Sequence, residues 1–355
     1  MITHSKKLLI AASGTGGHLF PALAVAEQLT DCEIEWLGVP NRLETQLVPK
    51  EYPLHTVPVE GFQTKGLGSL KVFIKLVSSV FSVRRLLKKG KFDGVFTTGG
   101  YIAAPAILAA RSLGLPAILH ESNALPGKVT RWFSPFCTVV ALGFEAASAY
   151  LPRVKTLYVG TPVRKQFLSI QKLNLAVPDN VPLIVVTGGS QGAVALNKLV
   201  RECAPAWFEQ GAWIVHQTGE NDPDSQTLQH PQYISLPLYD NMAGLFERAD
   251  LAISRAGAGT LTELAATGTA AILIPYPFAA EDHQAFNATV FQRAGAAVMC
   301  RQQQLTADKL QDLVLNFLKS PESLEKMAEK ARSLAVPDSA SRLAGLVKQY
   351  LATDG

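Results

Sequence analysis

A short apolar run that leads straight into a glycine-rich turn and then a helix opens each half of this 355-residue chain, and that repeated opening constrains the fold more than any other feature. In the first half the strands read as Lys7 to Ala12, Ile34 to Gly38, Gly94 to Thr97, Ala117 to His120 and Thr138 to Leu142, separated by amphipathic helical stretches. After Pro162 the series restarts with Leu183 to Thr187, Trp213 to Gln217, Leu251 to Ser254, Ala271 to Ile274 and Ala297 to Cys300. Strands that alternate with helices build βαβ units around a parallel sheet, so two doubly wound α/β domains are expected. The boundary falls near Gly160 to Val163, giving a first domain over 1–162 and a second over 163–336. The stretch from Ser169 to Pro182 reads as a connection between halves, and a last helix over 337–355 is free to pack on either domain, including back on the first.

Composition narrows the class. At 48% apolar and 17% charged residues the chain is too apolar for disorder, and a formal net charge of +4 gives no reason to expect nucleic acid. Cys32, Cys137, Cys203 and Cys300 are scattered, without C-x-x-C or a nearby His at ligand spacing, so neither a disulfide framework nor a zinc site is expected and a reducing cytosol fits. Lys6 and Lys7 precede only a short apolar stretch that runs into a glycine loop, which is not a signal peptide. No window reaches the ~18 to 20 apolar residues of a membrane span, so any membrane contact is expected to be peripheral.

Three segments carry the candidate chemistry. The first is Ser13-Gly14-Thr15-Gly16-Gly17-His18, where glycines let backbone approach an anion and the helix start favours a phosphate. In G-x-G-x-x-G register Leu19 replaces the third glycine, and the second strand ends in Gly38-Val39 without a ribose-binding acid, which weakens a dehydrogenase reading. The same helix start favours a neutral imidazole at His18, the form a general base needs, although a histidine that merely bonds the loop fits equally well. The second segment is Gly188-Gly189-Ser190-Gln191-Gly192, where Ser190 can offer hydroxyl and N–H to a diphosphate or simply cap a tight turn. The third is Arg255-Ala256-Gly257-Ala258-Gly259-Thr260-Leu261-Thr262-Glu263. Here Glu263 suits ribose hydroxyls or complements the helix dipole. Downstream, Pro275 to Ala288 forms a proline-interrupted loop entering a helix, with His283, Gln284 and Asn287 expected to be exposed at its start, suited to reading sugar hydroxyls or simply solvated. Asp222-Pro223-Asp224 is the sole Asp-x-Asp and reads as a surface turn, with metal binding the lesser alternative.

Taken with Gly99-Gly100-Tyr101, His120-Glu121-Ser122-Asn123 and Thr161-Pro162-Val163-Arg164, these segments closely resemble the MurG family, in order along nearly the whole chain. That family transfers N-acetylglucosamine from its UDP carrier to undecaprenyl-diphosphate-muramoyl-pentapeptide. The resemblance implies a GT-B fold, two Rossmann-like domains facing across a cleft. It also implies donor contacts from Thr15, Gly16, Gly17, Asn123, Arg164, Ser190, Tyr239, Ala258, Gly259, Thr260, Leu261, Thr262, Glu263 and Gln284. Gly14, Gly99, Gly100 and Tyr101 fall on the acceptor side. Ser122 and Thr161 depart from the family's usual Gln and Asn.

A single inverting displacement is expected, with His18 as base and Glu121 either in reserve or as a structural carboxylate anchoring the His120 to Asn123 loop, and without cofactor or metal. A lipid-linked acceptor also implies a place at the cytoplasmic face of the bacterial inner membrane, and partners in a cell-wall or division assembly. The segment holding Val72, Phe73, Ile74, Leu76, Val77 and Phe81, followed by Arg84 and Arg85, has more apolar residues than one buried stripe requires and suits an anionic membrane surface. A 2-epimerase on the same fold, a noncatalytic nucleotide-sugar-binding regulator and, more distantly, a dehydrogenase are the competing readings. Hinge motion near Gly160 to Pro162 would accompany a two-domain cleft.

Overall fold

The computed structural model describes residues 5–59, 67–189 and 192–352, with backbone alone over 67–71. Two compact units divide the chain. The first runs to Arg164 and resumes at Val336, and the second spans Lys165–Ala335. The crossing therefore comes after Arg164, not after Pro162.

In the first unit the strands are β1 (Lys6–Ala11), β2 (Cys32–Gly38), β3 (Leu54–Thr56), β4 (Gly94–Thr97), β5 (Ala117–Glu121), β6 (Val139–Leu142) and β7 (Thr156–Tyr158). They form one parallel sheet in the order β3-β2-β1-β4-β5-β6-β7. Its helices are α1 (Gly16–Ala26), α2 (Glu44–Leu47), α3 (Leu67–Gly90), α4 (Ala103–Ser112) and α5 (Lys128–Phe133). The second unit holds β8 (Leu183–Thr187), β9 (Trp213–Gln217), β10 (Tyr233–Leu236), β11 (Leu251–Ser254), β12 (Ala271–Leu273) and β13 (Ala297–Met299), parallel in the order β10-β9-β8-β11-β12-β13. Its helices are α6 (Val194–Phe208), α7 (Met242–Arg248), α8 (Ala258–Thr267), α9 (His283–Arg293), α10 (Ala307–Leu318) and α11 (Pro321–Ser333). The closing helix, α12 (Ser339–Ala352), returns to the first unit.

The central strands are apolar on both faces because both faces are covered. Leu8, Leu9, Ile10 and Ala11 of β1 and Leu183, Ile184, Val185 and Val186 of β8 are wholly buried. In the first unit, one face of the sheet packs under α3 and α4 through Val83, Leu87, Ile102 and Ile107. The other packs under α1 and α12 through Leu19, Val25, Leu343, Val347 and Leu351. The last helix is thus core material of the first unit. Gly160, at φ +77, lies so close to Val336 that an added Cβ would meet its side chain at 2.5 Å, so the two segments of that unit approach closely there.

Three short edge strands, β3, β7 and β10, go beyond the ten read from sequence. The stretch 169–182 is also not a free connection. Arg248 donates to the carbonyls of Pro178, Asp179 and Val181, and Asn241 donates to that of Lys172, so it is bound to the second unit.

Candidate active site

Both sheets reverse their winding beside their first strand, between β1 and β4 and between β8 and β11. In open parallel sheets the loops at the carboxyl ends of such a pair form the binding crevice. Each glycine segment singled out above lies at one of these two places.

In the first unit the turn after β1 and the turn after β4 meet at His18. The imidazole Nδ1 lies 2.8 Å from the Thr98 carbonyl, and the Thr98 hydroxyl donates to the His18 carbonyl at 2.9 Å. A carbonyl only accepts, so Nδ1 carries the proton and Nε2 of the neutral ring keeps its lone pair. Gly99 and Gly100, at φ +96 and +74, bring backbone against this ring, where an added Cβ would stand 3.5 and 3.6 Å from it. Thr15 caps α1 through backbone geometry without a side-chain bond, and Gly14 takes φ +100. Gly16 faces Phe20, whose ring lies under the Arg164 guanidinium at 5.2 Å. Arg164 therefore belongs with the first unit's turn. Tyr101 is exposed beside it.

Glu121 does not fit the part of reserve base. One carboxylate oxygen accepts the backbone and side-chain N–H of Asn123, each at 3.0 Å, and the other accepts the Gly127 N–H at 3.1 Å and the Thr130 hydroxyl at 2.6 Å. Four donors leave it as the anchor of this loop, and the Asn123 amide is oriented by it. His120 is fully buried, which lowers its pKa, and it donates Nε2–H to the Gly160 carbonyl.

In the second unit Gly189 and Gly192 both take positive φ, and the Gly192 N–H closes the turn on the Gly189 carbonyl at 2.9 Å. Ser190 and Gln191 lie outside the described residues. Across the switch point α8 begins at Ala258 after Gly257, and nothing stands within 4 Å of a Cβ added at Gly257 or Gly259. Glycine inside a helix costs ~1 kcal/mol relative to alanine. With no protein atom requiring it, Gly259 makes sense as room for a ligand at the helix start. Thr260 and Thr262 are partly exposed on this turn, and Glu263 stands one residue further on. Leu261, by contrast, is wholly buried, so only its main chain can meet a ligand. The Gln284 Oε1 accepts the N–H groups of Ala256 at 3.2 Å and Tyr276 at 2.9 Å, which fixes its amide NH₂ as a donor. Asn287 is fully buried instead of exposed and donates to the Ala256 carbonyl. Tyr239 bonds Asn174 through its hydroxyl, just before the α7 cap at Asn241.

The Asp222 segment is a surface turn in which Pro223 and Asp224 are exposed, but the Asp222 side chain turns inward. Asp222 is buried and receives Arg201 in a bidentate pair at 2.7 and 3.3 Å, the Asn197 amide at 2.8 Å and the Asp224 N–H at 3.1 Å. Asn197, wholly buried in the first turns of α6, also donates to the Thr218 carbonyl and accepts Nε2–H of His216, whose Nδ1 meets the Tyr233 hydroxyl. Burial pushes His216 down to about 3, so it remains neutral in this network. The Thr218 carbonyl in turn walls the glycine turn, because a Cβ at Gly192 would approach it to 2.4 Å. Apart from Asp222 and Asp224 none of these side chains was singled out, and a lone Asn, His or Arg inside an apolar pattern gives no signal that would have marked one.

Comparison with known proteins agrees with this layout. The glycosyltransferase family 28 N-terminal domain matches residues 8–142 and its C-terminal domain matches 183–343. A UDP-N-acetylglucosamine--N-acetylmuramyl-(pentapeptide) pyrophosphoryl-undecaprenol N-acetylglucosamine transferase of Trichormus variabilis is 67% identical over 99% of both chains. The chain belongs to the MurG family. The crystal structure of Acinetobacter baumannii MurG superposes with a TM-score of 0.79 at 32% identity, covering 97% of this chain and 99% of that one. The calicheamicin glycosyltransferase CalG4 shares the fold alone, with a TM-score of 0.71 at 15% identity over 98% and 99% of the two chains. Two all-parallel α/β units of this kind make the chain a GT-B protein.

In this MurG-family chain α3 carries two distinct stripes. Phe73, Ile74, Val77 and Phe81 are exposed, at 58, 57, 37 and 67%, whereas Val72 is buried and Leu76 packs against the core. Val72 and Leu76 therefore leave the membrane-facing set. Arg85 is exposed, and Arg84 donates to the Ser112 hydroxyl. Among the described residues no helix is long and apolar enough to cross a membrane.

Proposed function

We propose that this chain transfers N-acetylglucosamine from UDP-N-acetylglucosamine to an undecaprenyl-diphosphate-linked muramoyl-pentapeptide, with inversion at the anomeric carbon. The near-full-length match to proteins named for that activity carries the reading. The His18 tautomer supplies its chemistry. Nε2 takes the proton of the attacking sugar hydroxyl while the bond to the diphosphate breaks on the opposite face. The α8 start, Arg164 and the turn holding Ser190 stabilise the charge gathering on the leaving UDP, with Gln284 reading sugar hydroxyls and Glu263 the ribose. Metal is not required in this scheme. The one Asp-x-Asp has its first carboxylate occupied by Arg201 and Asn197, which removes the obvious diphosphate–metal bridge.

The exposed α3 stripe with its basic end lies on an anionic membrane surface at the cytoplasmic face, bringing the first unit to a lipid-borne acceptor. Partners in a wall-building or division assembly would meet the protein there.

Transfer of labelled N-acetylglucosamine to a lipid-diphosphate-muramoyl acceptor, with a chelator present, tests the reaction. Robust transfer is expected in the wild type. His18→Ala is expected to lose about 10²- to 10⁴-fold in kcat at unchanged donor affinity. Donor binding without transfer would instead favour a binding protein, and acceptor-free conversion of the donor sugar would favour an epimerase.

A further inference from the structure

The first unit contains an ionisable side chain that the scheme above does not use. Glu44 opens the one-turn helix α2 and is wholly buried, yet its partners are all neutral donors. One oxygen accepts the Ser13 hydroxyl at 2.5 Å and the Val39 N–H at 2.6 Å, and the other accepts the Gly14 N–H at 3.2 Å. Gly38 makes this inward turn feasible, because a Cβ there would stand 2.6 Å from the Glu44 Cγ. A buried carboxylate is costly unless hydrogen bonds compensate it, and those three donors are the compensation.

The same bonds act on the segment that leads to His18. Gly14 has φ +100 and no atom within 4 Å of its missing side chain, and Thr15 gives α1 no side-chain cap, so packing does little to fix this turn. It is held from two ends. Thr98 grips His18 on the β4 side, and Glu44 grips Ser13 and Gly14 on the β2 side.

We propose that Glu44 is a positioning residue for the transfer reaction, its carboxylate holding Ser13 and Gly14 so that His18 Nε2 meets the acceptor hydroxyl. This rests on the reading of His18 as base. Removing one acceptor should misplace the base while sparing the donor contacts expected from the second unit, those at the α8 start and Gln284.

The test uses the full chain, with kcat expressed per UDP-N-acetylglucosamine-binding site so that misfolded protein does not count. In Glu44→Gln the amide must turn an N–H toward a backbone N–H, and kcat is expected to fall about 10- to 100-fold. Donor Kd should stay within about twofold. Ser13→Ala, which removes one of the three donors, should lose several-fold in kcat and decides the matter if Glu44→Gln fails to fold. A kcat per donor site within about twofold of wild type in a folded variant overturns the proposal, since a purely structural carboxylate would cost stability and not turnover. Amide exchange separates this result from failure of the transferase reading. Slow exchange of Gly14 and Val39 in the wild type, accelerated in the variants, supports the clamp even if no transfer is seen. Fast exchange at both amides in the wild type refutes it.

Discussion

Both sheets place a glycine turn after the strand at their switch point, and behind each turn stands a buried acid from the loop after the neighbouring strand, Glu44 after β2 and Asp222 after β9. The topology is the same, and the charge balance is not. Glu44 bonds the turn directly through neutral donors, whereas Asp222 is neutralised by Arg201 and reaches its turn indirectly, through Asn197 and the Thr218 carbonyl. An uncompensated carboxylate beneath a diphosphate would repel it. The arginine removes that penalty from the half expected to hold UDP, whereas the charge of Glu44 is met by three neutral donors and is not cancelled. A shared fold thus fixes where a brace can stand, while the ligand each half serves decides whether its charge is cancelled.

The largest effect should come from breaking the neutralised brace. Arg201→Met leaves Asp222 charged and buried, a change that costs ~3–5 kcal/mol in comparable buried pairs. Denaturant unfolding should show that loss, together with weaker donor binding. Replacing both partners by apolar residues should cost less than the two single changes combined, and additive losses would argue that the pair does not act as a unit.

Gly192 and Gly14 sharpen the contrast further. Both have positive φ, but a Cβ at Gly192 would strike the Thr218 carbonyl while one at Gly14 meets open space. Gly192→Ala is therefore expected to raise the donor KM and to destabilise by more than the ~1–3 kcal/mol of backbone strain alone. Gly14→Ala should show strain only and act on kcat. Equal effects on donor binding would dissolve the distinction between the two turns.

The smallest effect is in pH dependence. Burial pushes His216 down to about 3 in the folded chain, against an ordinary value of 6.5, because it disfavours the charged form. Between those values the unfolded chain binds a proton that the folded chain refuses, so stability falls as pH drops, by up to ~1.4 kcal/mol per unit. Asp222 works in the same direction lower down. Burial alone would raise its carboxyl, but Arg201 and Asn197 outweigh burial and hold it below the ordinary range. Its contribution is present above the unfolded value and disappears as pH falls through the folded one. Urea midpoints measured across this range should fall toward acid, and His216→Gln should flatten the upper part of the profile.

Much of this was legible in the chain itself. Ten strands announce themselves as apolar runs between glycine turns, whereas β3, β7 and β10 are short edge strands that pair on one side and are only partly buried. The three glycine segments and His18 were found because a turn that admits an anion requires particular residues at adjacent positions. For the opposite reason the sequence left Glu121 open between base and loop anchor and did not show that the Asp222 side chain turns inward. A carboxylate looks the same in sequence whether it faces solvent, a substrate or four protein donors.

The sequence by itself determined two doubly wound units and the glycine turns at their switch points, since strand burial, helical periodicity and glycine conformations are local properties of the chain. Only the tertiary structure decided what the acids and the last helix do. Glu44 meets Ser13 across 31 residues, Asp222 meets Arg201 across 21, and α12 joins the core of a unit whose other strands ended near Tyr158. Such partners are selected by the winding of the sheet, and a side chain's chemistry follows from the groups that the winding brings to it.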